Sequence, residues 1–136
     1  MKINIQKGFS LIELLVVVVI IGILSAIGIV SYSGYIESTH KNTALNTMGM
    51  IAMSQEEHRS GTGYYYYTSA SCGSENASKE ISDNLLNANQ DVLEQNYNFC
   101  ITGSKTNFTY SIQAKNKSGS CNLFRDTNGK ITESNC

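Results

Sequence analysis

From Phe9 to Val30 the chain reads FSLIELLVVVVIIGILSAIGIV, 22 residues with a single charge, Glu13. No other feature restricts the fold so strongly. As a helix the run spans about 33 Å, enough to cross a bilayer core. Lys2 and Lys7 precede it, and basic residues before an apolar run favour a cytoplasmic N-terminus and an exported remainder. A cleaved secretory signal is the rival reading, but its apolar core is about 7–15 residues long. Here the charge-free stretch Leu14 to Val30 has 17 residues, and Ser25-Ala26-Ile27 is a poor small-x-small cleavage site. Glu13 is the anomaly. A carboxylate in a membrane segment costs about 2.5–3.5 kcal/mol at mid-bilayer and less near an end. It needs a partner, and nothing in its own apolar helix is expected to supply one.

The cysteines point outward from the cell as well. Cys72, Cys100, Cys121 and Cys136 all lie in the second half, none in a CxxC pair. Zinc sites show close pairs, so no metal is expected, and two disulfides in an oxidising compartment fit better. Three pairings are open at this point. Charged residues are only 15% of the chain, and there is no Pro. Those figures exclude a nucleic-acid binder that works by overall basic charge, a Pro-rich linker and a coiled coil. Charge is segregated: −4 over residues 61–99 and +3 over residues 100–136. Either these are solvated surfaces or they are complementary faces that meet head to tail in an assembly.

Helical periodicity continues past the apolar run. Ala44, Leu45, Met48, Ile51, Ala52 and Gln55 form one stripe, fading at Ser60-Gly61-Thr62-Gly63. A helix from Phe9 to Arg59 would be about 76 Å long, too long for so small a protein to cover. Its N-terminal half must therefore lie in lipid or against other copies. Ile81, Leu85, Ala88 and Val92 predict a short helix with Ser78 as N-cap. Tyr97, Phe99 and Ile101 alternate, as do Phe108, Tyr110, Ile112 and Ala114. Cys121 to Phe124 reads as a third strand, Asp126-Thr127-Asn128-Gly129 as a turn, and Lys130 to Thr132 as a short edge. The expected fold class is α+β: a long N-terminal helix whose C-terminal half packs on a small antiparallel sheet of three or four strands.

Lys7-Gly8-Phe9-Ser10-Leu11-Ile12-Glu13-Leu14 resembles the processing site of type IV prepilins. The likeness is dense over about 25 residues and extends in outline along the helix. It implies cleavage between Gly8 and Phe9 by a prepilin peptidase, N-methylation of Phe9, and an assembly role for Glu13. Cleavage exposes the Phe9 amine, a cation near neutral pH. In a bundle of parallel helices, Glu13 of one subunit can face that amine on a neighbour, and an unpaired carboxylate penalises wrong stagger. The implied organisation is a leader over 1–8, a transmembrane or filament-core helix over 9–35, and a pilin head over 36–136. Many type IV pilins carry Pro at the position matching Val30, which helps the helix unwind on assembly. Here Val stands there, and Gly22, Gly28 and Gly34 remain as weak points, each costing about 1 kcal/mol of helix propensity; close packing between helices is an equal reading of these glycines.

The resemblance also bears on the cysteines, because type IV pilins close a C-terminal loop with a disulfide. If Tyr97, Phe99 and Ile101 face the helix, Cys100 points towards whatever covers the sheet, and the loop carrying Cys72 is the natural cover. Together these favour Cys72–Cys100 and Cys121–Cys136. The implied function is a structural subunit of a type IV pilus or related filament, supporting adhesion, twitching motility or DNA uptake. The implied alternatives are a minor pilin acting as adhesin or DNA receptor, and a type II secretion pseudopilin. The implied partners are other copies of the chain, the peptidase, an assembly platform and motor ATPases. The implied location is the inner membrane for the precursor and then the cell surface.

Other motifs yield less. Lys115, Lys117 and Arg125 are candidate DNA contacts in the basic third, against a solvated lysine-rich face. Tyr64 to Tyr67 would place two rings inward and two outward if extended, for packing or for an exposed aromatic patch. Asp126-Thr127-Asn128-Gly129 faintly resembles a calcium loop but lacks the remaining ligands. Gly103-Ser104-Lys105-Thr106 misses the P-loop pattern. His40 and His58 share a helix face about 27 Å apart, too far to chelate one ion. No nucleophile or metalloprotease motif occurs, so no enzyme and no cofactor are expected.

Overall fold

The computed structural model describes residues 8–88, 92–93 and 95–136. The expected leader residues 1–7, with Lys2 and Lys7, and the acidic Asp91 and Glu94 lie outside the described residues. Helix α1 runs Leu11–Thr62 and α2 Glu75–Asn84. Strands β1 (Tyr97–Ser104), β2 (Thr109–Asn116), β3 (Asn122–Asp126) and β4 (Ile131–Ser134) form one antiparallel sheet in chain order. Internal contacts divide the chain into two units between Ser38 and Thr39, inside α1. In the first unit every described residue is exposed. No residue interrupts the helix there, including Gly22, Gly28, Val30 and Gly34.

The second unit holds the core. From α1 it buries Ala44, Thr47, Met48, Ile51, Ala52 and Gln55, positions recurring at helical spacing. The register pairs Phe99 with Ala114 and Ile101 with Ile112, and Ala114 in turn with Leu123. These residues share one sheet face with Tyr97 and Tyr110, and all are buried in a single cluster with Met48 and Ile51. The opposite face carries Asn98, Cys100, Gln113 and Phe124. Cys100 is fully buried there and joined to Cys72.

Four details depart from the sequence reading. The helix continues past Arg59 through Gly61 and stops at Gly63, whose φ of 84° suits the left-handed residue after a helix. There its N–H donates to Arg59 O at 2.7 Å. The cap of α2 is Ser74, not Ser78, and its hydroxyl accepts from Ala77 N–H. Ser78 is buried mid-helix because its Oγ accepts from Phe99 N–H at 2.8 Å. Ala88 has φ 55° and lies beyond the helix, as does Val92. Phe108, with φ 50°, sits in the turn before β2 and is exposed, so it does not join the inner face.

The two sheet edges are treated differently. Thr68 meets the outer edge of β1: its N–H donates to Ile101 O at 3.0 Å, and its Oγ1 accepts from Ile101 N–H at 3.1 Å. With Ser78 on Phe99, this closes the edge against further strand pairing. The other edge strand, β4, is exposed along its length. It is tied to α1 by Lys41 and Glu133 at 2.6 Å, an exposed pair of small energetic value.

Candidate processing and assembly site

The first turn of α1 is built by two residues. Ser10 N–H donates to Glu13 Oε2 at 3.0 Å, and Glu13 N–H donates to Ser10 Oγ at 3.3 Å. That is a capping box, two helix-end amides satisfied reciprocally across a Ser-x-x-Glu spacing. Glu13 therefore has a partner within its own chain, contrary to the sequence expectation. The physical reason is that the first amides of any helix lack intrahelical acceptors. Ser10 is the functional residue that sequence reasoning missed, although Ser-x-x-Glu before an apolar run was the available signal. The box holds only one of the carboxylate's oxygens.

Gly8 and Phe9 precede the cap outside the helix, both exposed. A Cβ built on Gly8 would meet nothing within 4 Å, so no packing inside this chain demands glycine there. Phe9 is 85% exposed. Beyond them, the apolar side chains from Leu11 to Val30 are all exposed. Among the described residues α1 is the one helix long and apolar enough to cross a membrane.

Residues 3–29 match the family described as the prokaryotic N-terminal methylation motif. Over that N-terminal segment, about a fifth of its length, the chain is similar to type IV fimbrial proteins. It is similar to the fimbrial protein EcpC of Eikenella corrodens, 38% identical over 70 residues, 52% of this chain and 46% of that protein. It is also similar to the type IV major fimbrial protein FimA of Dichelobacter nodosus, 46% identical over 48 residues, 35% of this chain and 31% of the relative. The type IV major alpha-pilin of Moraxella bovis is 56% identical over 36 residues, 26% of this chain and 23% of its own length. The chain thus covers less than half of the length of each of these relatives. No solved structure matches the chain.

In the second unit the structure joins Cys72 to Cys100 and Cys121 to Cys136, with Cα–Cα distances of 5.2 and 4.4 Å. The three candidate DNA contacts do not converge. Lys115 faces the Cys100 side of the sheet, beside Gly73. Arg125, opposite Ile112, belongs to the other face. Lys117 Nζ donates to Leu93 O at 2.7 Å and lies 3.8 Å from Glu75. Glu80 accepts from Ser69 N–H and Oγ–H, each at 2.7 Å, and from Ala70 N–H at 3.2 Å. These contacts hold its carboxyl below the ordinary range, the Ser69 hydroxyl contributing most. The acidic and basic stretches are thus partly neutralised within the subunit.

The tyrosine run is mostly structural. Tyr65 is buried, with its ring edge-on to Tyr110 at 4.7 Å. Its hydroxyl accepts from Arg59 at 2.8 Å and donates to Glu56 at 2.9 Å. The backbone N–H and C=O of Tyr66 both pair with the buried Gln55 amide, at 2.8 and 2.7 Å. Tyr67 donates its hydroxyl to Thr109 O at 3.2 Å. A Cβ on Gly103 would collide with the Thr109 carbonyl and the Tyr67 ring, so only glycine fits there. Tyr64 is exposed. The Asp126–Gly129 segment forms the β3–β4 turn, where Thr127 Oγ1 accepts from Tyr110 N–H at 2.8 Å. No cluster of His, Cys, Asp and Glu able to hold a metal occurs among the described residues.

Proposed function

We propose that this chain is a structural, non-enzymatic subunit of a type IV pilus-like filament. It is made as an inner-membrane precursor with a leader over residues 1–8. A prepilin peptidase cleaves it between Gly8 and Phe9, and Phe9 is N-methylated. An assembly platform and its motor ATPase then draw the mature chain into a filament. The helix over 9–35 forms the filament core and the head over 36–136 forms the outer surface. One observation carries this reading: a continuous apolar helix surface from Leu11 to Val30, wholly unburied by its own chain and headed by Gly8, Phe9 and Glu13. Monomeric soluble proteins rarely expose apolar patches beyond a few hundred Å², so this surface is made for lipid and then for sister helices.

The carboxylate oxygen of Glu13 left free by the capping box is available to the Phe9 amine of a neighbouring subunit. That pairing fixes the stagger between subunits, because an acid left alone in a low-dielectric bundle is strongly disfavoured. The test uses Glu13→Gln, which keeps an acceptor for Ser10 N–H and removes only the charge. Mass spectrometry of the mature chain should find methylated Phe9 at its N-terminus in both forms. Sheared surface filaments should be abundant for the parent and absent for Glu13→Gln. Normal filaments from Glu13→Gln would overturn the charge-pairing mechanism, and a mature chain that keeps residues 1–8 would overturn the filament reading.

A further inference from the structure

The tyrosine run borders a cleft of about 390 Å³ in the head, lined by His58, Thr62, Tyr64 to Ser69 and Lys105. That volume lies within the range of small-molecule sites, about 300–1,000 Å³. All but two of its residues have settled partners. Tyr66 stands edge-on to His58 at 5.9 Å, its hydroxyl accepts from Asn84 at 3.1 Å, and the Tyr67 hydroxyl is held by Thr109 O. These contacts fix the rings. Two groups are left over. Tyr64 is 54% exposed. Lys105, in the turn after β1, makes no hydrogen bond or ion pair with any described residue.

Fixed aromatic rings, the Tyr64 phenol and one uncommitted ammonium define a ligand chemistry. Aromatic faces are electron-rich and suit the C–H face of a pyranose, while the Tyr64 hydroxyl suits its edge. A single lysine suits one carboxylate. We propose that this cleft binds an acidic sugar, a pyranose bearing a carboxylate that pairs with Lys105. A nucleic-acid strand is the rival ligand, since bases also stack on tyrosines. Backbone-tracking sites use a positively charged groove, whereas this cleft offers a single uncommitted lysine, enough for one carboxylate. Arg59, the nearest other cation on α1, is committed to the Tyr65 hydroxyl and ring and to the Phe108 ring.

The site goes beyond the filament reading and does not depend on it, because all its residues belong to one subunit. The full chain in detergent is titrated with sialyllactose, with lactose and with an oligothymidylate. The chain has no Trp, and four of its eight tyrosines line the cleft, so a change in tyrosine fluorescence is the readout. Sialyllactose should saturate with a Kd on the order of 1 mM, as expected of a small open site. Lactose lacks the carboxylate together with the ring that bears it and should bind at least about tenfold more weakly. Lys105→Gln should shrink that difference by weakening sialyllactose, Tyr64→Ala should weaken both sugars, and Lys130→Gln should change neither. Any of three results would overturn the proposal: no saturable response to sialyllactose, undiminished binding by Lys105→Gln, or tighter binding of the oligothymidylate at the same residues.

Discussion

The residues before Ser38 and those after Thr39 spend their hydrophobic side chains in opposite ways. In the second unit Met48, Ile51, Phe99, Ile101, Ile112 and Leu123 are fully buried among one another. In the first, Leu14, Val17, Ile20, Ile23 and Leu24 are as apolar, yet each is about half exposed or more. The head is complete as a single chain. The apolar helix is not, and its stability must come from lipid or from other copies. The lesson is that the same sequence pattern, a helix rich in large aliphatics, is a core element or an assembly element according to whether its own chain covers it.

The largest effect should come from breaking the head. Phe99→Ala removes a fully buried ring and should cost about 3–5 kcal/mol. Ile23→Ala, at a site without buried neighbours, should leave head stability within about 0.5 kcal/mol. Denaturant unfolding in detergent, followed by near-ultraviolet circular dichroism of the buried tyrosines, measures both. Equal losses would erase the distinction between the two regions.

Crosslinks come next. Replacing Cys72 and Cys100 together by Ala should cost about 3–4 kcal/mol, and replacing Cys121 and Cys136 about 3 kcal/mol, since the first pair closes the longer loop. Neither change should alter the helicity of residues 11–38 in detergent, which circular dichroism can check. Gln55→Leu should cost about 1–3 kcal/mol, because it keeps the volume but leaves the half-buried Tyr66 N–H and C=O without their Gln55 partner.

Much of this was readable in the sequence where a single period governs. The stripe from Ala44 to Gln55 and the alternation in β1 and β2 each reflect one element packed on one face. What stayed hidden depended on contacts distant along the chain. Ser78 has the composition of a cap, but Phe99 N–H, 21 residues away, claims its hydroxyl. Gln55 reads as the polar end of a stripe, yet it is buried as a surrogate strand for Tyr66. The basic residues counted as one group separate because alternate positions along a strand face opposite ways. The proposed processing residues stand out in the sequence because Gly8, Phe9 and Glu13 lie within six positions. Ser10 was overlooked because it reads as an ordinary small residue until the cap is drawn.

The smallest predicted effect compares two carboxylates. Among the described residues Glu13 has one donor, Ser10 N–H. Glu80 has three donors, the N–H and hydroxyl of Ser69 and the N–H of Ala70. The second unit thus holds its acid with more internal donors than the apolar helix holds Glu13. The Ser69 and Ala70 donors lower the pKa of Glu80 from its ordinary 4.5, so the folded head prefers the ionised form. The unfolded chain takes up a proton first as pH falls, and stability then declines. The contribution should be whole above about pH 4.5 and should fade as pH drops through the lowered value. Glu80 is exposed, so solvent screening keeps the effect small. Glu80→Gln should flatten this part of the acid limb of a midpoint-versus-pH curve and lower the neutral plateau slightly. A parent and variant with parallel curves below pH 4.5 would mean that Ser69 and Ala70 do not hold the carboxylate in solution.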